Sequence, residues 1–215
     1  MTKKERAYAA VEALKKEYPD ALCSLNYEDP YQLLVSVRLS AQCTDARVNK
    51  VTPALFAKYP DAESMAKADV GDVEALIRST GFYRAKARDL VLEANQIVND
   101  YDGKVPISID ELVKLAGVGR KTANLVAGDV FHTPGVFVAD THAIRLCNRM
   151  GFVDTKDPKK VEFAMRPLLP PEESNNFCHR LVLHGRAVCT ARVPHCENCV
   201  LADGICKKII EKKKK

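Results

Sequence analysis

The feature that most limits how this chain can fold is a group of four cysteines near its C-terminus, with the spacing Cys189-x6-Cys196-x2-Cys199-x6-Cys206. Four thiolates in one short basic segment suit either a tetrahedral zinc ion or a [4Fe–4S] cluster, and their spacing alone does not decide between the two. Zinc sites favour two close cysteine pairs, whereas this segment has a single Cys-x-x-Cys. The pattern therefore favours an iron–sulfur cluster.

The other four cysteines, Cys23, Cys43, Cys147 and Cys178, lie in segments with helical apolar spacing. In such positions a cysteine usually serves as a small buried apolar residue. Eight cysteines in an intracellular chain indicate metal ligands or reactive thiols rather than a disulfide framework.

The composition is that of a globular protein, with 47% hydrophobic and 28% charged residues. No run of residues approaches the roughly 18 consecutive apolar positions of a membrane-spanning helix, and the N-terminal segment does not resemble a signal peptide. We therefore expect a cytoplasmic protein with no membrane partner. A formal net charge of +5 weakly favours polyanionic partners such as nucleic acid. The lysine-rich end, with Lys207, Lys208 and the run 212–215, is expected to be solvated.

Apolar residues recur at helical spacing along almost the whole chain, and no strong strand alternation is present. Helix-start signals agree with this pattern: Asp29-Pro30 and Asp157-Pro158 each combine a capping residue with a first-turn proline, and Ser108 with Glu111 can form a capping box. The sequence predicts an all-α protein of about ten short helices, and Thr133-Pro134-Gly135 is the best candidate for a break between domains.

The segment Leu115-Ala-Gly-Val-Gly-Arg-Lys-Thr-Ala123 predicts a helix, a tight turn and a second helix. Glycine permits backbone conformations that are closed to other residues, and a helix N-terminus presents unpaired N–H groups to an anion. Such a turn grips phosphates without reading bases. Gly117, Val118, Gly119 and Arg120 are accordingly the predicted DNA-binding residues of this hairpin.

Two residues are candidates for chemistry. Lys121 follows the hairpin turn, where the helix N-terminus and Arg120 both disfavour a second positive charge and so favour the uncharged amine that a nucleophile requires. Asp140 ends the apolar stretch Val136–Ala139 and is a good N-cap for a helix from Thr141 to Met150. A carboxylate fixed by capping can also stabilise positive charge that develops on a sugar ring.

Several motifs in order give the chain a family resemblance over nearly its full length. They are Leu39-Ser-Ala-Gln-Cys-Thr-Asp45, Ser79-Thr-Gly-Phe-Tyr83 with Lys86-Ala87, the hairpin, Val138-Ala-Asp-Thr-His142, Cys147-Asn-Arg149, Leu183-His-Gly-Arg186 and the four C-terminal cysteines. In these segments the chain resembles the endonuclease III family of helix-hairpin-helix DNA glycosylases.

The resemblance implies two helical lobes. One is a six-helix barrel of residues 23–133 that contains the hairpin at about 115–123. The other joins residues 1–22 to 134–215 and carries a [4Fe–4S] cluster on Cys189, Cys196, Cys199 and Cys206, in a loop spanning 189–206.

The resemblance also implies an activity: removal of oxidised pyrimidines from duplex DNA, followed by strand cleavage at the abasic site. Lys121 is then the nucleophile and Asp140 its carboxylate partner. Gln42 fills the gap left by an everted nucleotide, and Phe82 is a wedge beside the opposite base. Asp45 and His142 fall near the expected substrate pocket. A monomer is expected.

Three positions depart from the family pattern: Ala116 replaces a usual proline, Cys43 replaces a usual alanine, and the last cysteine gap has six residues where five is common. Two other functions remain open from the sequence. One is a monofunctional glycosylase of the same fold that acts through water, and the other is a noncatalytic iron–sulfur protein that binds DNA. Lys121 argues against the first.

Overall fold

The computed structural model describes residues 1–208, and these contain eleven α-helices and three short 3₁₀ helices with no strand. The prediction of an all-α protein is confirmed, and the predicted number of helices is close to the observed one. The lysine run 212–215 lies outside the described residues. Among the residues described, no helix is both long and apolar enough to span a bilayer.

The α-helices have the following bounds: α1 Lys3–Glu17, α2 Pro30–Leu39, α3 Asp45–Lys58, α4 Ala62–Ala66, α5 Val70–Ile77, α6 Tyr83–Asp100, α7 Ile109–Leu112, α8 Arg120–Asp129, α9 Thr141–Arg149, α10 Pro158–Met165 and α11 Ser174–Ala187. The 3₁₀ helices are Arg78–Thr80, Arg166–Leu168 and Cys196–Asn198.

The chain divides into two compact units between Phe131 and His132, beside the predicted break at Thr133-Pro134-Gly135. The central unit, Cys23–Phe131, contains α2 to α8. Its long helix α6 packs against α4, α5 and α2, and α8 packs against α2 and α7. The largest buried side chains of this unit are Leu33, Leu34, Leu39, Leu55, Met65, Ile77, Leu90 and Ile97.

The second unit, called here the terminal unit, joins α1 to the chain from His132 onward. Helix α1 packs on α11, and α11 packs on α9. Its core includes Leu14 together with Phe137, Phe152 and Phe177. Arg6 adds a polar connection within the unit, because its Nη1 donates to the carbonyl oxygens of Met150 and Ile205, both at 2.7 Å.

The predicted helix starts are confirmed where they depend on local contacts. Asp29 caps α2 by accepting from the Gln32 N–H, and Asp157 caps α10 by accepting from the Lys160 N–H. Ser108 caps α7 by accepting from the Glu111 N–H, as predicted. The second bond of the predicted capping box, from the Ser108 N–H to the Glu111 side chain, is not formed, so this half of the prediction is wrong. Glu111 instead accepts from the Tyr101 hydroxyl and the Lys114 ammonium, which compete for its carboxylate.

The four scattered cysteines differ in their burial. Cys147 and Cys178 are buried, as predicted, whereas Cys23 and Cys43 are half-buried. Burial raises the pKa of Cys23 to about 12 and also raises the pKa of Cys147, so both thiols stay protonated at neutral pH. Their environments suit apolar packing rather than thiolate chemistry.

Candidate functional site

The predicted hairpin is present as α7, a tight turn and α8. Leu115 and Val118 are buried, and the Val118 N–H donates to the Leu115 carbonyl, which closes the turn. Gly117 lies between them with φ +72°, a conformation that glycine adopts at little cost. The side chain of Val118 therefore faces the core, and only its backbone is placed to meet a ligand.

The start of α8 has the features that favour binding of an anion. Its N-cap is Gly119, which supplies no side-chain acceptor, and no acidic residue stands in the first turn. Arg120 and Lys121 are its first two residues, and Lys121 is exposed. The first N–H groups of a helix have no intrahelical partner and form the positive end of its dipole. At this terminus two cationic side chains add to that positive charge.

Two residues that the sequence did not indicate, Gln96 and Arg38, contact the hairpin and hold its turn in place. The Ala116 N–H donates to Gln96 Oε1 at 2.7 Å, a bond that a proline at this position could not make. The guanidinium of Arg38 lies against Gly117 and is held in place by an ion pair with Asp89. The replacement of the usual proline by Ala116 thus gives the turn a new anchor on α6.

Gln42 and Phe82 share an unusual backbone. Both have left-handed φ values, 54° and 49°, and both are exposed, Phe82 to 69%. A left-handed conformation is unfavourable for a bulky residue such as phenylalanine, and strain of this kind concentrates at functional sites. Both side chains of the central unit are exposed in this conformation, although burial would be more favourable for the apolar side chain of Phe82.

Asp140 caps α9, as predicted: its Oδ1 accepts from the Ala143 N–H at 2.7 Å. The side chain is half-buried, so the cap fixes the carboxylate without removing it from solvent. Lys121 belongs to the central unit and Asp140 to the terminal unit.

The two predicted pocket residues have defined neighbours. Asp45 is the first residue of α3, and its Oδ2 accepts from the Ser24 hydroxyl at 2.5 Å. His142 lies beside Gly185, where an added Cβ would stand 2.5 Å from His142 Nδ1. Arg145 Nη2 is 3.1 Å from the same nitrogen. The structure therefore gives His142 a tightly packed position in the terminal unit.

The four C-terminal cysteines line one small cavity of the terminal unit, together with Val188, Pro194, His195 and other neighbours. Burial raises the pKa of Cys199 to about 11, and the charges of the other three thiols, when ionised, add to this effect. Among residues 1–208 no three potential ligands are already grouped as a metal ion would require. Four soft donors facing one cavity nevertheless fit the ligand set of an iron–sulfur cluster.

Two side chains that sequence reasoning did not assign approach these sulfurs. Arg149 Nη1 donates to Cys189 Sγ at 3.2 Å and to the Thr190 carbonyl at 2.7 Å. His184 Nε2 lies 3.3 Å from Cys199 Sγ, and its Nδ1 lies 3.2 Å from the Tyr18 hydroxyl. A donor such as Arg149 orients a ligand sulfur and stabilises its negative charge.

The sequence is similar to known proteins over most of its length. Residues 35–171 match the family model described as "HhH-GPD superfamily base excision DNA repair protein". Endonuclease III of Synechocystis sp. is 48% identical over 201 residues, which cover 94% of this chain and 92% of the relative.

Two solved structures share the fold. A trapped endonuclease III–DNA covalent intermediate superposes with a TM-score of 0.89 at 39% identity, covering 99% of this chain and 100% of the other. A non-covalent endonuclease III–DNA complex gives a TM-score of 0.88, also at 39% identity and with full coverage of both chains.

Proposed function

The chain belongs to the endonuclease III family of the HhH-GPD superfamily of base excision DNA repair proteins, and from this membership we propose how its residues act. It is a DNA-binding repair enzyme, a DNA glycosylase with lyase activity at abasic sites. We propose that its substrates are oxidised pyrimidines in duplex DNA and that Lys121 is the nucleophile.

Recognition begins with the backbone of the DNA. The exposed glycines of the hairpin and the uncapped start of α8 offer N–H groups to a phosphate, and Arg120 adds charge. The damaged nucleotide then leaves the base stack, at a cost of about a few kcal/mol that is smallest for a lesion that already stacks poorly. Gln42 fills the gap that remains, and Phe82 wedges beside the opposite base. Their exposed, left-handed positions support these roles.

Chemistry follows at the sugar. The uncharged amine of Lys121 attacks the anomeric carbon, the bond from that carbon to the base breaks, and the base departs with the bonding electrons and a proton. A Schiff base then joins the lysine to the opened sugar. Loss of a C2′ proton and departure of the 3′ phosphate cleave the strand by β-elimination, and water hydrolyses the imine to release the enzyme.

Asp140 supports this sequence from its cap position. Its carboxylate stabilises the positive charge that develops on the sugar as the base leaves, and it accepts and returns protons. The bond from the Ala143 N–H engages one of its oxygens and restricts its orientation. A fixed carboxylate of this kind loses little free energy to reorganisation during the reaction.

We propose that Cys189, Cys196, Cys199 and Cys206 hold a [4Fe–4S] cluster. When bound, such a cluster supplies a covalent cross-link among four chain positions and a redox-active centre. Arg149, which donates to Cys189 Sγ, and His184, whose ring lies beside Cys199 Sγ, would help to orient these two ligand side chains. Its role in this proposal is to shape the loop 189–206 rather than to take part in base removal.

The observation that carries the proposed roles is the exposed Lys121 in the uncapped first turn of α8, in a chain whose fold matches a covalently trapped enzyme–DNA complex. Borohydride reduction of the imine tests it. Incubation with duplexes that carry a panel of oxidised pyrimidines should leave wild-type protein covalently attached to DNA. Lys121→Ala should bind the same duplexes without attachment or strand cleavage.

Other results would change the assignment. Release of free base with no strand cleavage would point to a monofunctional glycosylase that acts through water. Trapping by Lys121→Ala at the wild-type rate would place the nucleophile elsewhere in the chain.

A further inference from the structure

Helix α6 carries a buried lysine that the proposed mechanism does not use. Lys86 is 3% exposed, and its Nζ donates to two backbone carbonyls, Leu39 O at 2.8 Å and Thr80 O at 2.9 Å. Removing an ammonium from water is unfavourable unless strong acceptors replace the solvent, so a lysine in this position indicates that both bonds matter to the fold or to its function. Desolvation accordingly lowers the pKa of Lys86.

Both acceptors lie at the ends of helices. Leu39 is the last residue of α2, and Thr80 is the last residue of the 3₁₀ helix Arg78–Thr80. The final carbonyls of a helix have no intrahelical partner and carry the negative end of its dipole, so a cation is favourable there. One ammonium therefore joins the ends of two helices that are remote from each other in sequence.

The two helix ends lead into two exposed residues of the central unit that have left-handed φ values. Gln42 follows Leu39 within a single turn, and Phe82 follows Thr80 through Gly81. The backbone of Lys86 adds a third bond, since its N–H donates to the Phe82 carbonyl at 3.1 Å. Lys86 thus fixes the points from which both residues leave the core.

We propose that Lys86 is a positioning residue that holds Gln42 and Phe82 in register, so that both enter the duplex together when a nucleotide is everted. This proposal rests on the roles given above to those two residues. A displacement of about 1 Å in a positioning group can lower a rate by roughly 100-fold. Without Lys86 the segments that carry Gln42 and Phe82 would shift independently. The two side chains would then no longer enter the duplex together.

The matched control lies on the same helix. Asn95 also donates from its side chain to two backbone carbonyls, Ala66 O at 3.1 Å and Val91 O at 2.8 Å. Ala66 is the last residue of α4, so Asn95 also binds the end of a neighbouring helix but lies away from the segments of Gln42 and Phe82. Lys86→Met and Asn95→Leu each remove two side-chain hydrogen bonds and replace the polar side chain by an apolar one of similar length.

Cleavage of a duplex and of a single strand, each with one preformed abasic site, separates positioning from chemistry. A single strand has no opposite base and leaves no gap to fill. We expect Lys86→Met to cleave the duplex about 10- to 100-fold more slowly than wild type and to cleave the single strand at the wild-type rate. The fluorescence of 2-aminopurine opposite the abasic site should also rise less, because wedge insertion is impaired.

Lys86→Arg keeps the charge and the donors, and it should recover most of the duplex rate. Asn95→Leu should retain the duplex-to-single-strand ratio of the wild type, whatever its stability. Where Lys86→Met does not fold, Lys86→Gln, which keeps a donor and loses the charge, provides the same comparison.

Two results would overturn the proposal: a wild-type duplex rate and fluorescence signal in Lys86→Met, or an equal loss on both substrates that follows thermal stability in Lys86→Met and Asn95→Leu alike. Failure of the proposed function looks different, because the wild type itself would then form no borohydride adduct on either substrate.

Discussion

The guanidinium of Arg38 lies directly against the backbone of Gly117, so that a Cβ built on Gly117 would stand only 2.4 Å from Arg38 Nε. The tip of an arginine side chain can usually move aside at little cost, but this one is held by its ion pair with Asp89. The absence of a side chain at Gly117 is therefore required by Arg38, which Asp89 holds in place, as well as by the left-handed φ of Gly117 itself.

Gly117→Ala should destabilise the central unit by about 1–3 kcal/mol, because it combines backbone strain with this collision. Affinity for a duplex with an abasic-site analogue should fall with it. Gly119→Ala is the control, since Gly119 has φ −88° and no atom lies within 4 Å of its added Cβ. Denaturant unfolding compares the two variants, and a loss of stability in Gly117→Ala no larger than the N-cap loss in Gly119→Ala would contradict the role given to Arg38.

Asp140→Asn should separate capping from chemistry. Asparagine caps a helix about as well as aspartate, so the stability of the terminal unit should change by less than about 0.5 kcal/mol. Loss of the negative charge should lower base removal by about 100-fold or more. Asp157→Asn makes the same exchange at the cap of α10 and should leave activity unchanged. Single-turnover kinetics and thermal unfolding of both variants check this, and an unimpaired Asp140→Asn would restrict Asp140 to capping.

Glu93 should make stability depend on pH. Within the described residues neither of its carboxyl oxygens has a hydrogen-bond partner, and burial raises its pKa to about 8 from an ordinary value of 4.5. Between those two pH values the folded protein keeps a proton that the unfolded chain has lost. Its contribution to stability therefore falls as pH rises from about 4.5 to about 8, by up to ~1.4 kcal/mol per pH unit.

Glu93→Gln should remove this slope. The variant should be clearly more stable than the wild type at pH 8, and the difference should shrink toward pH 5. Glu63→Gln, an exposed change in the same unit, should keep the wild-type slope. Urea unfolding at pH 5, 6.5 and 8 measures all three proteins, and parallel pH profiles of the wild type and Glu93→Gln would show that Glu93 is ionised in the folded state.

Cys206→Ser tests the ligand at the end of the longer cysteine gap. We expect it to lower the iron and acid-labile sulfide content per chain and to weaken the visible absorbance of the cluster, because serine is a poor replacement for a soft thiolate. Cys178→Ser is the control, since Cys178 is buried elsewhere in the terminal unit and bonds to Ser174 O and the Val138 N–H. Full cluster content in Cys206→Ser would exclude Cys206 as a ligand.

Whether a contact could be predicted from the sequence depends on how far apart its two residues lie along the chain. The caps at Asp29, Asp140 and Asp157 were predictable because donor and acceptor lie three residues apart. The supports from Arg38 and Gln96 were not, because each contacts the hairpin from a distant part of the chain. The same limit explains the error at Glu111, whose carboxylate was taken by Tyr101 from the preceding loop.

Lys86 did leave a signal in the sequence. It stands beside Ala87 and one turn before Leu90, on the face of α6 where apolar residues are buried. A charged residue on such a face indicates either a buried partner or an error in the predicted helix. Only the structure shows that its partners are the carbonyls of Leu39 and Thr80.

The terminal unit draws its first helix and its last helices from opposite ends of the chain. During synthesis, α1 leaves the ribosome well before α11, so the apolar face formed by Ala7, Ala10, Val11 and Leu14 cannot pack on α11 until that helix has been made. The central unit can complete its own core during that interval, since domains fold as units while translation proceeds. Helix α1 therefore packs only after α11 has been synthesised, and its apolar face stays exposed until then.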